Sequence, residues 1–177
     1  MKTRTVYYKR MNFDLCDIII AKTCLGNLNI CFDNYESKFL EWIDKNFYGY
    51  KIVEVKNQFE PDVEKQISEY FSGVRTNFDL KVDAKLTDFQ KRVFIILSKV
   101  PYGSVISYGE IAKKLGGVKY SRAVGNALNK NPLPIIIPCH RVIDSKGGIG
   151  GFSAGVDIKK KLLNFEKEVT KVKELSI

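Results

Sequence analysis

The feature that most limits how this 177-residue chain can fold is a change of character near residue 84. Residues 1–84 carry twelve Lys/Arg against thirteen Asp/Glu, a net −1, whereas residues 85–177 carry seventeen against seven, a net +10. Across the change, residues 74–86 show neither helical nor strand periodicity and read as a linker. Two domains are therefore expected, 1–84 and 85–177, each with a small core. A basic half beside a neutral one suggests a polyanionic partner, usually nucleic acid; a lysine-rich solvated surface is the bland alternative. No apolar run is long enough to span a bilayer, and Met1 to Tyr8 lacks the apolar stretch of a signal peptide. No membrane association and a cytoplasmic location are expected.

The first half reads as a small α/β unit. Asp17–Lys22 and Leu28–Phe32 are strand-like, with Gly26-Asn27 as the hairpin turn between them. Glu36–Tyr48 places Phe39, Leu40, Ile43 and Phe47 at helical spacing, and Gly49 stops it. Tyr50–Val55 reads as a third strand, then Val63, Ile67, Tyr70 and Phe71 mark a second helix ending near Gly73. Cys16, Cys24 and Cys31 form no Cys-x-x-Cys pair and lie far from the lone histidine, so no metal site is expected and they read as core thiols.

The second half reads as mostly helical. Thr87 to Gln90 fits a capping box opening a helix with Phe89, Val93, Phe94 and Leu97 on one face, closed by Pro101-Tyr102-Gly103. Ser107 to Glu110 is a second capping box, followed by Ile111, Ala112 and Leu115 and stopped by Gly116-Gly117. A further helix spans about Ser121–Lys130, cut off by Pro132. Helix, glycine-bearing turn, helix is the helix-turn-helix layout, although plain helical hairpins share it. Ala123, Val124, Gly125, Ala127 and Leu128 make the second of these helices small and apolar, leaving Arg122, Asn126 and Lys130 along one side. Arg122, at the helix start, reads either as a wedge or stand-in for a displaced base or as a plain surface arginine.

The only histidine, His140, follows Cys139 directly, between Pro134-Ile135-Ile136-Ile137-Pro138 and Arg141-Val142-Ile143. The two prolines stiffen the backbone that presents thiol and imidazole. A free thiol is only a few per cent thiolate at neutral pH, so nucleophilic use demands a base or a positive field. His140 and Arg141 are candidates for the two, and since adjacent side chains diverge, a bridging water is the natural relay from Cys139 to His140. The last helix, with Ile158, Leu162, Phe165 and Val169 as its apolar stripe, carries Glu166 on that stripe, where an acid must be paired or protonated and can orient the imidazole. Lysines 159–161 and 167 are expected mostly on its other faces. The glycine-rich Gly147–Gly155 lacks a P-loop ending and reads as a flexible wall or lid over a pocket.

Pro138-Cys139-His140-Arg141-Val142 resembles the active-site signature of the O6-alkylguanine-DNA alkyltransferases, or methylated-DNA–protein-cysteine methyltransferases. Tyr102 to Tyr108, Ser121 to Gly125, Asn131 to Pro134, Gly151 to Gly155 and Leu162 to Glu166 resemble that family's other blocks, in order and at matching intervals across roughly residues 85–168. The first half resembles the family's N-terminal domain, a small ribonuclease-H-like α/β unit, only in size and pattern. The resemblance implies a DNA-repair protein that binds double-stranded DNA, flips an O6-alkylated guanine (O4-alkylthymine being a second candidate lesion) and moves the alkyl group irreversibly to Cys139. It makes Cys139 the acceptor, His140 its base through water and Glu166 the group orienting His140. Tyr108 would donate to the leaving guanine, Asn131 would brace the helix-turn-helix against the catalytic segment, and the Val142 backbone and Ser153 would contact the base. Tyr120, Ser121, Arg122, Ala123, Gly125 and Asn126 would meet DNA, with the second helix entering the minor groove. No cofactor is implied, each molecule would act once, and a monomer is expected. Phe152 and Ala154 depart from the family's usual tyrosine and glycine, which bears on which alkyl groups fit. The rival readings are a non-enzymatic damage sensor of the alkyltransferase-like type, which lacks the acceptor cysteine, a transcription regulator and a cysteine hydrolase. Cys139, the small-residue second helix and the adjacency of Cys139 to His140 argue against each in turn.

Overall fold

The computed structural model describes residues 4–23, 26–32, 36–57, 59–80, 84 and 86–175. The chain divides into two compact units, Met1–Ala84 and Lys85–Ile177.

Four strands make the sheet of the first unit: β1 (Thr5–Met11), β2 (Ile18–Thr23), β3 (Gly26–Phe32) and β4 (Lys51–Glu54). They lie in the order β3-β2-β1-β4, antiparallel except for the parallel β1–β4 pair. Since β3 and β4 run the same way, the chain between them must cross a face of the sheet, and α1 (Glu36–Asn46) does so. Side chains alternate between the faces, and the register pairs Tyr8 with Ala21 and Lys9 with Ile20. Val6, Ile19 and Ala21 therefore share one face, packed with Phe39 and Ile43 of α1, and the Tyr8 ring meets Phe39 edge-on. Ile18 and Ile20 are buried on the other. There α2 (Pro61–Phe71) is held by Lys9–Glu64 at 2.5 Å and by Phe13 stacked on Phe71 at 4.1 Å.

Three expectations change here. β1 was not anticipated, because Lys9 and Arg10 interrupt its apolar pattern; ion pairs with Glu64, Glu36 and Glu54 satisfy them inside the fold. Gly26 and Asn27 are not the hairpin turn: they pair with Thr23 and Lys22 inside the ladder, a register irregularity at Ala21/Lys22 absorbing the mismatch. The turn itself, including Cys24, lies outside the described residues. Part of the expected linker is also structured. Gln66 exchanges hydrogen bonds with the backbone of Asp79 at 3.0 and 2.9 Å, and Arg75 pairs with Glu69 at 2.7 Å.

In the second unit α3 (Asp88–Leu97), α4 (Tyr108–Lys114) and α5 (Ser121–Asn129) pack together through Val93, Phe94, Leu97, Ile111, Ala112, Val124, Ala127 and Leu128. Both capping boxes form, Thr87 with Gln90 and Ser107 with Glu110. Gly116 and Gly117, at φ +116° and +141°, make the turn between α4 and α5 in a region L side chains rarely enter. A short 3₁₀ turn at Val118–Tyr120 completes it. A two-residue parallel pair, β5 (Ile106–Ser107) with β6 (Val142–Ile143), ties the start of α4 to the segment after Cys139. The long α6 (Val156–Leu175) buries Leu162 and Glu166.

Candidate active site

Cys139 is set by the loop before it. Asn131, just past α5, accepts from Leu133 N at 3.0 Å and donates through Nδ2 to Ile137 O at 2.8 Å, bridging a loop that also closes on itself through Ile137 N to Leu133 O. Ile135 sits inside this loop at φ +78° and is buried. A β-branched residue there is strained by about 1–3 kcal/mol, tolerable only because its surroundings hold it. The result is a fixed path into a 3₁₀ turn at Cys139–Arg141.

The same Asn131 Nδ2 lies 3.0 Å from Cys139 Sγ and donates to it. That favours thiolate, as does the nearby Lys159, yet burial dominates and pushes the thiol up to about 11. At rest Cys139 is a thiol. Its sulfur faces a pocket of about 380 Å³ lined by Tyr108, Gly125, Asn126, Leu128, Asn129, Cys139, Gly151, Phe152 and Ser153, within the range of small-molecule sites. The Tyr108 hydroxyl donates to Gly151 O at 3.4 Å, and burial followed by the proximity of Cys139 and Asp144 raises its pKa. Tyr108 therefore keeps its proton at neutral pH.

Behind the thiol lies a sealed ionic cluster. His140 and Glu166 are fully buried, with His140 Nε2 2.8 Å from Glu166 Oε1. A carboxylate only accepts, so Nε2 carries the proton and Nδ1 keeps its lone pair, with no hydrogen-bond partner among the described residues. Burial lowers the pKa of His140, outweighing Glu166, so the ring is neutral. Arg141 donates to Glu166 from Nε and Nη2, both at 2.9 Å, and from Nη1 to Val100 O at 2.8 Å; Gly103 N adds a bond to Glu166 Oε2 at 3.0 Å. Burial works against the Glu166 charge, but His140 and Arg141 together hold its pKa at about 2.

The structure thus gathers Cys139, Tyr108 and Ser153 around one pocket, bonds Asn131 to the sulfur without placing it in the lining, and joins His140 to Glu166. Val142 is buried at the start of β6, and its carbonyl accepts from Lys159 at 2.5 Å. Ser121, Arg122, Ala123 and Asn126 line a more open depression with Val118 and Lys119, and Asn126 borders both hollows. Gly125 faces the pocket rather than this depression, and Tyr120 turns toward Phe89 at 6.2 Å, with Lys119 over its ring.

Two features have no local signature in the sequence. Arg141 is committed to Glu166 rather than lending its charge to the thiol. Lys159, expected on an outer face of α6, is fully buried, with Nζ held by Val142 O and Gly151 O and its charge favouring the Cys139 thiolate. Lysine at a boundary position normally snorkels outward, so only tertiary placement reveals the exception. Gly103 was legible only as a helix stop.

A desolvated thiol flanked by a neutral imidazole and a phenol, in a pocket bordered by the second helix of a helix-turn-helix, defines the class: a DNA-binding protein built around one nucleophilic cysteine. Comparison with known proteins narrows it. Residues 88–168 match the 6-O-methylguanine DNA methyltransferase family over its DNA-binding domain. The methylated-DNA–protein-cysteine methyltransferase of Methanosarcina acetivorans is 44% identical over 153 residues, 83% of this chain and 96% of that protein. The crystal structure of Mycobacterium tuberculosis O6-methylguanine methyltransferase superposes with TM-score 0.76 at 33% identity, covering 93% of this chain and 94% of that one. The same organism's protein in complex with DNA gives 0.77 at 32%, covering 92% and 94%. The chain belongs to the methylated-DNA–protein-cysteine methyltransferase family.

Proposed function

We propose that the chain repairs double-stranded DNA by moving the alkyl group of a flipped O6-alkylguanine onto Cys139 Sγ, once per molecule. The observation that carries this reading is the placement of Cys139 Sγ at the wall of a base-sized pocket, hydrogen-bonded by Asn131 and facing Tyr108. Residues 85–177 are assigned the DNA-binding and catalytic work and residues 1–84 a supporting α/β domain. The order β3-β2-β1-β4 with β4 parallel to β1 supports a ribonuclease-H-like reading of that domain.

In the reaction the Cys139 proton passes through a water to His140 Nδ1, whose opposite nitrogen is anchored on Glu166. The thiolate attacks the alkyl carbon, a C–S bond forms, the C–O6 bond breaks and its electron pair leaves with guanine. Tyr108 donates its proton to the departing base, and the proton held by His140 passes back through water to Tyr108, so both groups end neutral. The thioether has no leaving group for water to displace, so the protein is consumed. Flipping costs a few kcal/mol, offset by phosphate contacts from the basic unit and by Arg122 filling the gap. The Val142 backbone and Ser153 contact the base, and Tyr120, Ser121, Ala123, Gly125 and Asn126 lie along the duplex. The protein works as a monomer wherever the damaged DNA is.

The test is mass spectrometry of the protein after incubation with O6-methylguanine duplex. One methyl group on the Cys139 peptide, absent in Cys139→Ala, is expected. Retained lesion binding with no methyl on Cys139 in the unaltered protein would instead leave it a damage sensor.

A further inference from the structure

We propose that Lys159 is a positioning residue of the transfer reaction, its ammonium tying together two walls of the pocket and supplying the positive charge that stabilises the Cys139 thiolate. This rests on the reading of Cys139 as the acceptor.

The first function follows from its hydrogen bonds. Nζ donates to Val142 O at 2.5 Å and to Gly151 O at 3.2 Å. Val142 begins β6, immediately after the Cys139 turn, and Gly151 belongs to the glycine-rich wall and also accepts from Tyr108. Gly151 has nothing within 4 Å of where a Cβ would stand, whereas Gly150 lies against Tyr108, where a Cβ would meet the ring at 3.1 Å, so this wall is held by Tyr108 and Lys159 rather than by side chains of its own. The ammonium thereby ties the strand that follows the nucleophile to the pocket wall at Gly151, beyond the backbone bond from Asp144 N to Gly148 O at 2.7 Å that joins the two segments farther from the pocket.

The second follows from what the ammonium lacks. Lys159 is 0% exposed, and among the described residues no carboxylate forms an ion pair with it. A buried ammonium held only by carbonyls is costly, and burial brings its pKa down to about 8; the anion that would stabilise it is the Cys139 thiolate, the one group that raises it. The other charged or titratable groups around the thiol do not fill that place. Glu166 of α6 is saturated by His140 and Arg141 of the Cys139 turn, while Tyr108 of α4 keeps its proton and Asp144 after β6 accepts from Lys146 N at 2.8 Å. Ionisation of Cys139 while Lys159 keeps its proton thus gives a buried cation that no carboxylate among the described residues pairs the anion it lacks.

The experiment measures the pH dependence of Cys139 carbamidomethylation by iodoacetamide, followed on its own peptide, in the full chain and in Lys159→Met and Lys159→Gln. Both substitutions remove the charge, and glutamine retains a donor for the carbonyls. The expected result is an upward shift of about one pH unit in both, hence about tenfold slower reaction at pH 7. Slower transfer from O6-methylguanine duplex should accompany it, smaller in Lys159→Gln than in Lys159→Met. An unchanged profile in a folded variant overturns the electrostatic role, and equal loss of transfer in the two overturns the clamp. Should neither variant fold, the pH profile of the unaltered protein decides: carbamidomethylation, rising about tenfold per pH unit at first, should level off above about pH 8 where Lys159 loses its charge, and a rate that keeps rising tenfold per unit through that range overturns the electrostatic role. Because iodoacetamide requires no DNA, failure here is distinct from failure of the repair reaction.

Discussion

Glu166, sealed from water, retains its charge because four donors replace the water it lost: His140 Nε2, Arg141 Nε and Nη2, and Gly103 N. Removing that charge strands Arg141 in the interior, which costs more than the lost hydrogen bonds themselves. Glu166→Gln is therefore expected to lower the unfolding free energy of the second unit by roughly 3–5 kcal/mol, read by denaturant titration. It should also slow single-turnover methyl transfer about 10²-fold or more, since the amide can present its N–H to Nε2 and fix the wrong tautomer. Intact kinetics with lost stability would mean that the cluster serves packing alone. The pairing of His140 with Glu166 was legible because an acid on an apolar helical stripe requires a partner. The commitment of Arg141 and the burial of Lys159 were not, because local sequence does not show which of several cations reaches which anion.

Gly103 shows how the elements constrain one another. It lies between α3 and β5 at φ +73°, and a Cβ there would stand 2.4 Å from Thr170 Oγ1 of α6. Gly103→Ala must push α6 outward and draw its own N–H from Glu166; a loss of about 2 kcal/mol or more is expected in thermal unfolding, with transfer slowed because Glu166 shifts. Unchanged stability would show that α6 moves freely. On α5, Arg122 stands at the exposed first turn, separate from the chemical cluster. Arg122→Ala should reduce repair in duplex at least tenfold more than reaction with the free alkylated base, compared by single-turnover assays; equal losses would contradict its gap-filling role. The boundaries of α3 and α4 were legible because capping boxes are local hydrogen-bond patterns. β1 was not, since its lysine and arginine mask an alternation that only their distant carboxylate partners make affordable.

At the scale of the whole molecule, acid should act on the second unit from two sides. His140 is held below its ordinary 6.5 by burial, so as pH falls through that value the unfolded chain takes up a proton that the folded one refuses. Glu166, held at about 2 against an ordinary 4.5, contributes stability present above 4.5 and lost as pH falls toward 2. Unfolding midpoints of the second unit should therefore fall below pH 6.5 and more steeply below 4.5, followed by circular dichroism; a flat profile down to pH 4 would contradict a neutral buried His140.

The helices of the basic half and the need of Glu166 for a partner such as His140 could be read from residue order, because periodicity and capping act over a few residues. The pocket, the strained Ile135, the hydrogen bond from Asn131 to the sulfur and the inward turn of Lys159 arise from contacts between segments far apart in the chain. Burial, which sets the protonation of every group at the site, belongs to the packed fold and not to any stretch of sequence.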